Sequence, residues 1–156
     1  MSLIKYREYN TLDFEKLLFF MSVIDQDFYP PLSKRKALAD YLKADLKNPN
    51  VTILAECGRE IVGFINLQLN DPKPTECYIN TIAVAPNFRK LGIGSELIEI
   101  IFSKAKKQKY KNLKTRTWSI NDSGLGLYEK FGFKTDYVVK NDRINNVDTI
   151  YLLKVL

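Results

Sequence analysis

Residues 85 to 95 read Ala-Pro-Asn-Phe-Arg-Lys-Leu-Gly-Ile-Gly-Ser, and Gly92 and Gly94 straddle the point where a long apolar-periodic segment begins. Glycines at a helix start let the chain turn sharply and let a ligand approach amides that have no partner inside the helix. The macrodipole adds about 0.3–1 kcal/mol of attraction for a negative group held there. With Arg89 and Lys90 beside them, these amides predict a site for a phosphate or pyrophosphate. The plain alternative is a strand connection that merely needs two flexible residues. Two other nucleotide loops are disfavoured. A dinucleotide fingerprint needs a third glycine where the chain has Leu97, and a P-loop needs Gly-Lys-Ser/Thr, which is absent.

A missing residue type bounds the catalysis that can accompany such a site. The chain has 156 residues and no His. Ser-His-Asp and Cys-His hydrolysis, the HExxH zinc proteases and His-ligated metal centres are therefore excluded, and no metal is expected. Cys57 and Cys77 stand apart without CxxC spacing and read as buried apolar thiols of a reducing compartment. Proton transfer is left to carboxylates, Tyr, Lys and Cys, and charge stabilisation to backbone N–H groups.

The elements that must position these groups follow from periodicity. The length and the 46% apolar content predict a single domain over residues 1–156 with a real core. A strand at Ile4 to Tyr9 precedes a helix at Leu12 to Ile24, with Asn10 or Thr11 as its cap and Leu17, Leu18, Met21 and Ile24 at helical spacing. A second helix, capped by Ser33, carries Leu38, Tyr41, Leu42 and Leu46 and stops before Asn48. Strands at Val51 to Glu56 and Ile61 to Leu69 flank the turn Cys57-Gly58-Arg59-Glu60, and Asp71 to Pro74 reads as a further turn. A strand at Thr75 to Val84 leads into the helix Gly92 to Lys107, with Ile93, Leu97, Ile98, Ile101, Phe102 and Ala105 on one stripe. A strand at Leu113 to Trp118, a short helix at Ser123 to Phe131 and strands at Phe133 to Val139 and Val147 to Leu153 close the chain. The predicted order is βααβββαβαββ, an α/β fold.

Two stretches in this order resemble the motifs of one family. Ile82-Ala83-Val84-Ala85-Pro86-Asn87-Phe88-Arg89-Lys90-Leu91-Gly92-Ile93-Gly94 is similar to the acetyl-CoA signature of the GNAT superfamily of N-acetyltransferases, Arg/Gln-x-x-Gly-x-Gly/Ala after a strand ending in Val-x-Pro. Asn121, followed seven residues on by Tyr128 and then by Gly132-Phe133, resembles the second motif, with Gly124 in the place of the usual Ala. The resemblance implies a mixed central sheet whose fourth and fifth strands splay apart. It also implies acetyl-CoA as co-substrate, with the pantetheine arm pairing with Ile82, Ala83 and Val84 and with Asn121 on the other wall. The pyrophosphate is then expected on Arg89, Lys90, Leu91, Gly92, Ile93, Gly94 and Ser95. The implied reaction is direct attack of a primary amine of a small molecule or peptide on the thioester, in a ternary complex.

Within that implied mechanism Tyr128 is the proton donor to the departing thiolate. A phenol with an ordinary pKa of about 10 keeps its proton at neutral pH. Read without the motif, Tyr128 is a core aromatic beside Leu125 and Phe131. The candidate base is Glu76, the one acid on the fourth strand. Alternation places it with Tyr78, Asn80 and Ile82 on one face, but about two residues farther from Val84 than the position several family members use. Without a well-placed base, the alternative is a non-catalytic acyl-CoA sensor or scaffold.

Partners are less legible. Asp25-Gln26-Asp27-Phe28-Tyr29 could receive a cationic amine, or be a solvated helix end. The net charge is +6, and its main run is Lys104, Lys106, Lys107, Lys109, Lys111, Lys114 and Arg116. That run reads as a solvated helix C-terminus where cations offset the dipole, so nucleic acid is not expected. The apolar runs Leu17 to Met21 and Ile150 to Leu153 fall far short of the ~20 residues a membrane span needs. No basic-then-apolar leader precedes them, and the expected location is cytoplasmic. A homodimer stays open.

Overall fold

The computed structural model describes residues 3–69 and 75–156, so the expected turn at Asp71 to Pro74 lies outside the described residues. The elements are β1 (Ile4–Glu8), α1 (Phe14–Ile24), α2 (Leu38–Asp45), β2 (Val51–Cys57), β3 (Glu60–Leu69), β4 (Glu76–Val84), α3 (Ile93–Lys107), β5 (Asn112–Trp118), α4 (Asp122–Lys130), β6 (Lys134–Val139) and β7 (Thr149–Val155). One mixed sheet holds seven strands in the order β1-β2-β3-β4-β5-β7-β6. The β4–β5 pair is parallel, and the others are antiparallel.

Each face of the sheet buries its own cluster. On one, Ile53, Ile65, Leu67 and Ile79 pack against Ile93, Leu97, Ile98 and Ile101 of α3, with Tyr128 and Phe133 in the same cluster. On the other, Leu54, Ile61 and Phe64 meet Leu17, Phe20, Met21 and Ile24 of α1 and Leu42 of α2. Of the two predicted caps for the first helix, Asn10 is used. Its carboxamide accepts from Leu12 N at 2.9 Å while Asp13 accepts from Asn10 N at 2.9 Å, a reciprocal box that starts the short turn leading into α1.

The second helix starts differently from the expectation. It begins at Leu38 behind Ala37, which offers no side-chain cap. Ser33 sits instead in the turn Leu32–Lys34, where its amide and hydroxyl both donate to the buried carboxylate of Asp25. A buried charge needs donors more than an exposed helix start needs a cap, and Ser33 is the nearest supply.

Strict alternation also fails at two places. The β2–β3 register passes from Ala55↔Gly63 to Glu56↔Ile61, so Val62 is an extra residue. Accordingly Ile61 faces the α1 cluster while Val62 and Ile65 face the α3 cluster. The β3–β4 register passes from Asn66↔Thr81 to Leu67↔Ile79, leaving Asn80 as an extra residue on β4. A single inserted residue exchanges inside for outside beyond it. Glu76, Tyr78, Asn80 and Ile82 therefore do not share a face: Ile79 and Ile82 join the α3 cluster, whereas Ala83 joins that of α1.

Candidate active site

β4 and β5 pair only from Glu76↔Asn112 to Tyr78↔Lys114. Beyond that seam the strands part, and the gap opens into a cavity of about 610 Å³. Its walls are Asn80 to Val84 of β4 and Thr115 to Trp118 of β5, with the start of α3 at one end. The edge of β4 that faces the gap has no strand partner past Tyr78 among the described residues. α4 supplies Asn121 and Tyr128, and the connection between α1 and α2 supplies Asp27 and Phe28.

The helix start is shaped by two left-handed residues. Gly92, the N-cap of α3, has φ +85°, and Lys90 has φ +62°. The sharp turn they make presents the first amides of α3 to the cavity, with Gly94 and Ser95 in its lining. A Cβ at Gly94 would lie 3.2 Å from Leu127 Cδ2, so α3 packs closely against α4 here and a side chain would press on the end of Leu127. Arg89 does not present a free cation. Its Nε donates to Val84 O at 3.0 Å and its guanidinium pairs with Asp27 at 2.7 Å.

Tyr128 is 4% exposed, on the cavity wall beside Phe133 with ring centroids 5.3 Å apart. Burial pushes its pKa up to about 12, with the Thr115 hydroxyl pulling the other way. Thr115 is itself oriented by donating to Ile79 O at 3.1 Å. Asn121 lines the cavity while capping α4: its Oδ1 accepts from Gly124 N at 3.2 Å and its Nδ2 donates to Thr117 at 2.8 Å. A Cβ at residue 124 would overlap the Asn121 carboxamide as it is placed in this chain.

Glu76 is not brought to this cavity. It lies in the paired seam of β4, 3.1 Å from Lys114, and does not line the gap. The one carboxylate in the lining is Asp27, already held by Arg89. Asp25 is taken by Ser33, so the acidic cluster, read as either an amine receiver or a solvated helix end, makes its bonds within the protein. Arg116 separates from the basic run. Lys104 and Lys114 pair with Glu8 and Glu76, whereas Arg116 lines the cavity.

A buried carboxylate that sequence reading passed over is Asp45, at the end of α2. Its oxygens accept from Thr81 Oγ1 at 2.9 Å and Asn80 Nδ2 at 3.1 Å, fixing both residues of the β4 irregularity. The only signal in the sequence was an acid four residues after Tyr41, which reads as solvated. Burial raises its pKa to about 6, against the lowering by those two donors. Because the folded value lies above the unfolded 3.8, its favourable contribution is complete below pH ~4 and is lost as the pH rises to about 6. Urea melts of wild type and Asp45→Asn from pH 4 to 7 should show the difference in stability shifting toward the variant by about 2–3 kcal/mol. Parallel profiles would remove the buried carboxylate from this account.

The comparison with known proteins follows the same motifs. The acetyltransferase (GNAT) family model matches residues 18–133. The chain belongs to the GNAT family. Among curated GNAT relatives, the probable N-acetyltransferase camello of Xenopus tropicalis is 28% identical over 105 residues, covering 67% of this chain and 48% of that protein. N-alpha-acetyltransferase 30 of Homo sapiens is 31% identical over 106 residues, 67% of this chain and 29% of that one. The chain thus spans about half, or less, of the length of these relatives. A GNAT acetyltransferase from Streptococcus pneumoniae superposes with TM-score 0.84 at 18% identity over 99% of this chain and 100% of that one. An aminoglycoside 6'-N-acetyltransferase complexed with coenzyme A superposes with TM-score 0.81 at 15% identity, over 97% and 96% of the two chains. These likenesses establish the GNAT fold. Among the described residues no helix is long and apolar enough to cross a membrane.

Proposed function

We propose that the chain is an N-acetyltransferase that moves an acetyl group from acetyl-CoA to a primary amine of a small molecule or peptide. The observation that carries this reading is one cavity in which the amides of a helix start, an unpaired strand edge and the buried Tyr128 meet. The residues present fit the co-substrate: the turn at Lys90 and Gly92 brings the first residues of α3 into the cavity lining, where their amides suit a pyrophosphate, and the gap beside β4 accepts an extended arm as an added strand. Asn121 keeps one N–H beyond its bond to Thr117 for the arm's far side. Bound acetyl-CoA supplies a thioester, an acyl group already activated toward nitrogen.

The protein's part is then electrostatic and acid–base. A strand N–H between Ile82 and Val84 stabilises the developing oxyanion, an effect of about 3–4 kcal/mol per good donor in other enzymes. The nitrogen–carbon bond forms, the carbon–sulfur bond breaks, Tyr128 gives its proton to the departing sulfur, and the proton that the nitrogen sheds on acylation passes through water and restores the phenol. Against a solvated thiolate, with a conjugate acid near 8.5, a phenol at about 12 is too weak an acid. Desolvation of the sulfur inside the cavity raises its basicity toward that of the phenol. With Asp27 ion-paired and Glu76 outside the cavity, the amine enters neutral or loses its proton to water.

The absence of a free carboxylate among the lining residues also favours a second reading, a module that binds acyl-CoA without turnover. A panel of primary amines assayed by release of the CoA thiol separates the two. Amine-dependent release above hydrolysis is expected; acetyl-CoA binding with no such release leaves only the binding module. A cytoplasmic setting goes with the reading, since both cysteines are free thiols.

A further inference from the structure

On the sheet face opposite α3, Tyr78, Arg116, Tyr151 and Tyr137 lie on β4, β5, β7 and β6 in that order, Arg116 being opposite Tyr151 and Tyr151 opposite Tyr137. Tyr151 and Tyr137 stack with centroids 4.3 Å apart, and the Arg116 guanidinium lies 5.7 Å from the Tyr78 ring centre. One flank of this floor is the connection between β6 and β7. From it Arg143 reaches in, with its guanidinium 5.5 Å from the Trp118 ring centre, donating to Thr149 Oγ1 at 3.0 Å and Tyr29 O at 2.6 Å. The other flank is the stretch before α2, with Arg35 and with Lys36 over the Tyr41 ring at 5.4 Å.

None of Arg35, Lys36, Arg116 and Arg143 has a carboxylate within ion-pair distance among the described residues. The nearby acids are otherwise engaged: Asp142 accepts from Thr149 at 2.6 Å, and Asp45 is buried against Thr81 and Asn80. The cations feel one another. Arg143 has its pKa lowered first by burial and then by Arg35 and Arg116. Asp142 acts on Arg143, and Asp45 on Lys36 and Arg116, from beyond ion-pair distance, so an anion arriving among these cations would be the first to pair with them directly. Arg116 and Trp118 also line the catalytic cavity, so the cationic floor is continuous with the gap between β4 and β5.

We infer that the acceptor amine carries an anionic group, a carboxylate or a phosphate, which Arg116 and Arg143 hold at the cavity mouth while the amine enters the gap. This assignment rests on the acetyl-transfer reading for its amine and on the cation cluster for its anion. Arg116 keeps most of its guanidinium donors free, its one side-chain bond being to Tyr78 Oη at 3.4 Å, and a planar fork of that kind matches either oxyanion.

The test uses matched acceptors that differ only in charge: an amino acid against its carboxamide, and phosphoethanolamine against ethanolamine. In at least one arm the anionic partner should have the higher kcat/KM by about 10-fold or more, as expected for a charge-assisted pair, and the arm that responds names the anion. Arg116→Gln should collapse that ratio toward unity, and Arg143→Gln, tested separately because it also ties down Tyr29 and Thr149, should lower it. Equal or better use of the neutral partner in both arms, or a ratio untouched by Arg116→Gln, overturns the proposal. If no amine of either kind releases CoA thiol, the acetyl-transfer reading fails by itself. Calorimetric binding of the anionic acceptors to wild type and Arg116→Gln then decides the anion site, and equal affinities overturn it.

Discussion

Tyr128→Phe is expected to lower kcat by about 100-fold or more while leaving the affinity for acetyl-CoA essentially unchanged. The phenol is buried on the cavity wall and its proton is held well above neutral pH, so in the proposed mechanism the substitution removes the proton donor to sulfur and, besides it, only the contact with Thr115. Ring packing against Phe133 is retained, and the loss of one hydroxyl near Thr115 should change stability by no more than about 1.5 kcal/mol. Because Tyr128 titrates only at about 12, the pH profile of kcat should show no tyrosine limb below pH ~11. Single-turnover rates and calorimetric Kd values check both halves. A variant that turns over at the wild-type rate would return Tyr128 to the role of a core aromatic.

Gly94→Asp should weaken acetyl-CoA binding by about 100-fold or more and yet leave the fold as stable as before, or slightly more so. Residue 94 is the second residue of α3, where a carboxylate gains about 0.3–1 kcal/mol from the helix dipole. The same carboxylate occupies the amides that would hold the pyrophosphate and repels it. Its Cβ must also displace the end of Leu127 by a few tenths of an ångström from the 3.2 Å approach. Opposite signs for stability and affinity are the signature, read from melts without ligand and from titrations with acetyl-CoA. Loss of both together would mean that Gly94 serves packing alone.

The legible parts of this protein were those written locally. Gly92 and Gly94 announce a helix start because their backbone freedom is a property of single residues, and the stripe from Ile93 to Ala105 repeats with the helix period. The extra residues Val62 and Asn80 left no such mark. A register shift is a relation between two strands, and nothing in β4 alone says that Ile82 will fall on the face of Ile79 and not on that of Tyr78. Asp45 was hidden for a related reason: an acid on a short helix reads as solvated until the strand it meets is known to offer Thr81 and Asn80. Asp25 and Asp27 misled in the opposite direction, their partners Ser33 and Arg89 being a turn and a whole sheet away. Arg116 was readable as a charge but not as one parted from its neighbours, since only the splaying of β5 from β4 brings Thr115 to Trp118, Arg116 among them, into the cavity wall.

The short seam between β4 and β5 has a mechanical consequence. The ladder that joins the strands β1 to β4 to the strands β5 to β7 runs over three residue pairs, Glu76–Tyr78 with Asn112–Lys114, extended among the described residues by the bonds from Lys111 N and Asn112 N to Thr75 O. Topologically the sheet is one; as a solid body it is two plates on a narrow hinge, with α3 as the strut that spans from one to the other. Backbone pairing holds the plates together over few bonds, and the join rests instead on the apolar cluster that Leu113, Leu152, Tyr128 and Phe133 share with Ile79 and α3. The Glu76–Lys114 ion pair, which has no place in the cavity, sits on that hinge.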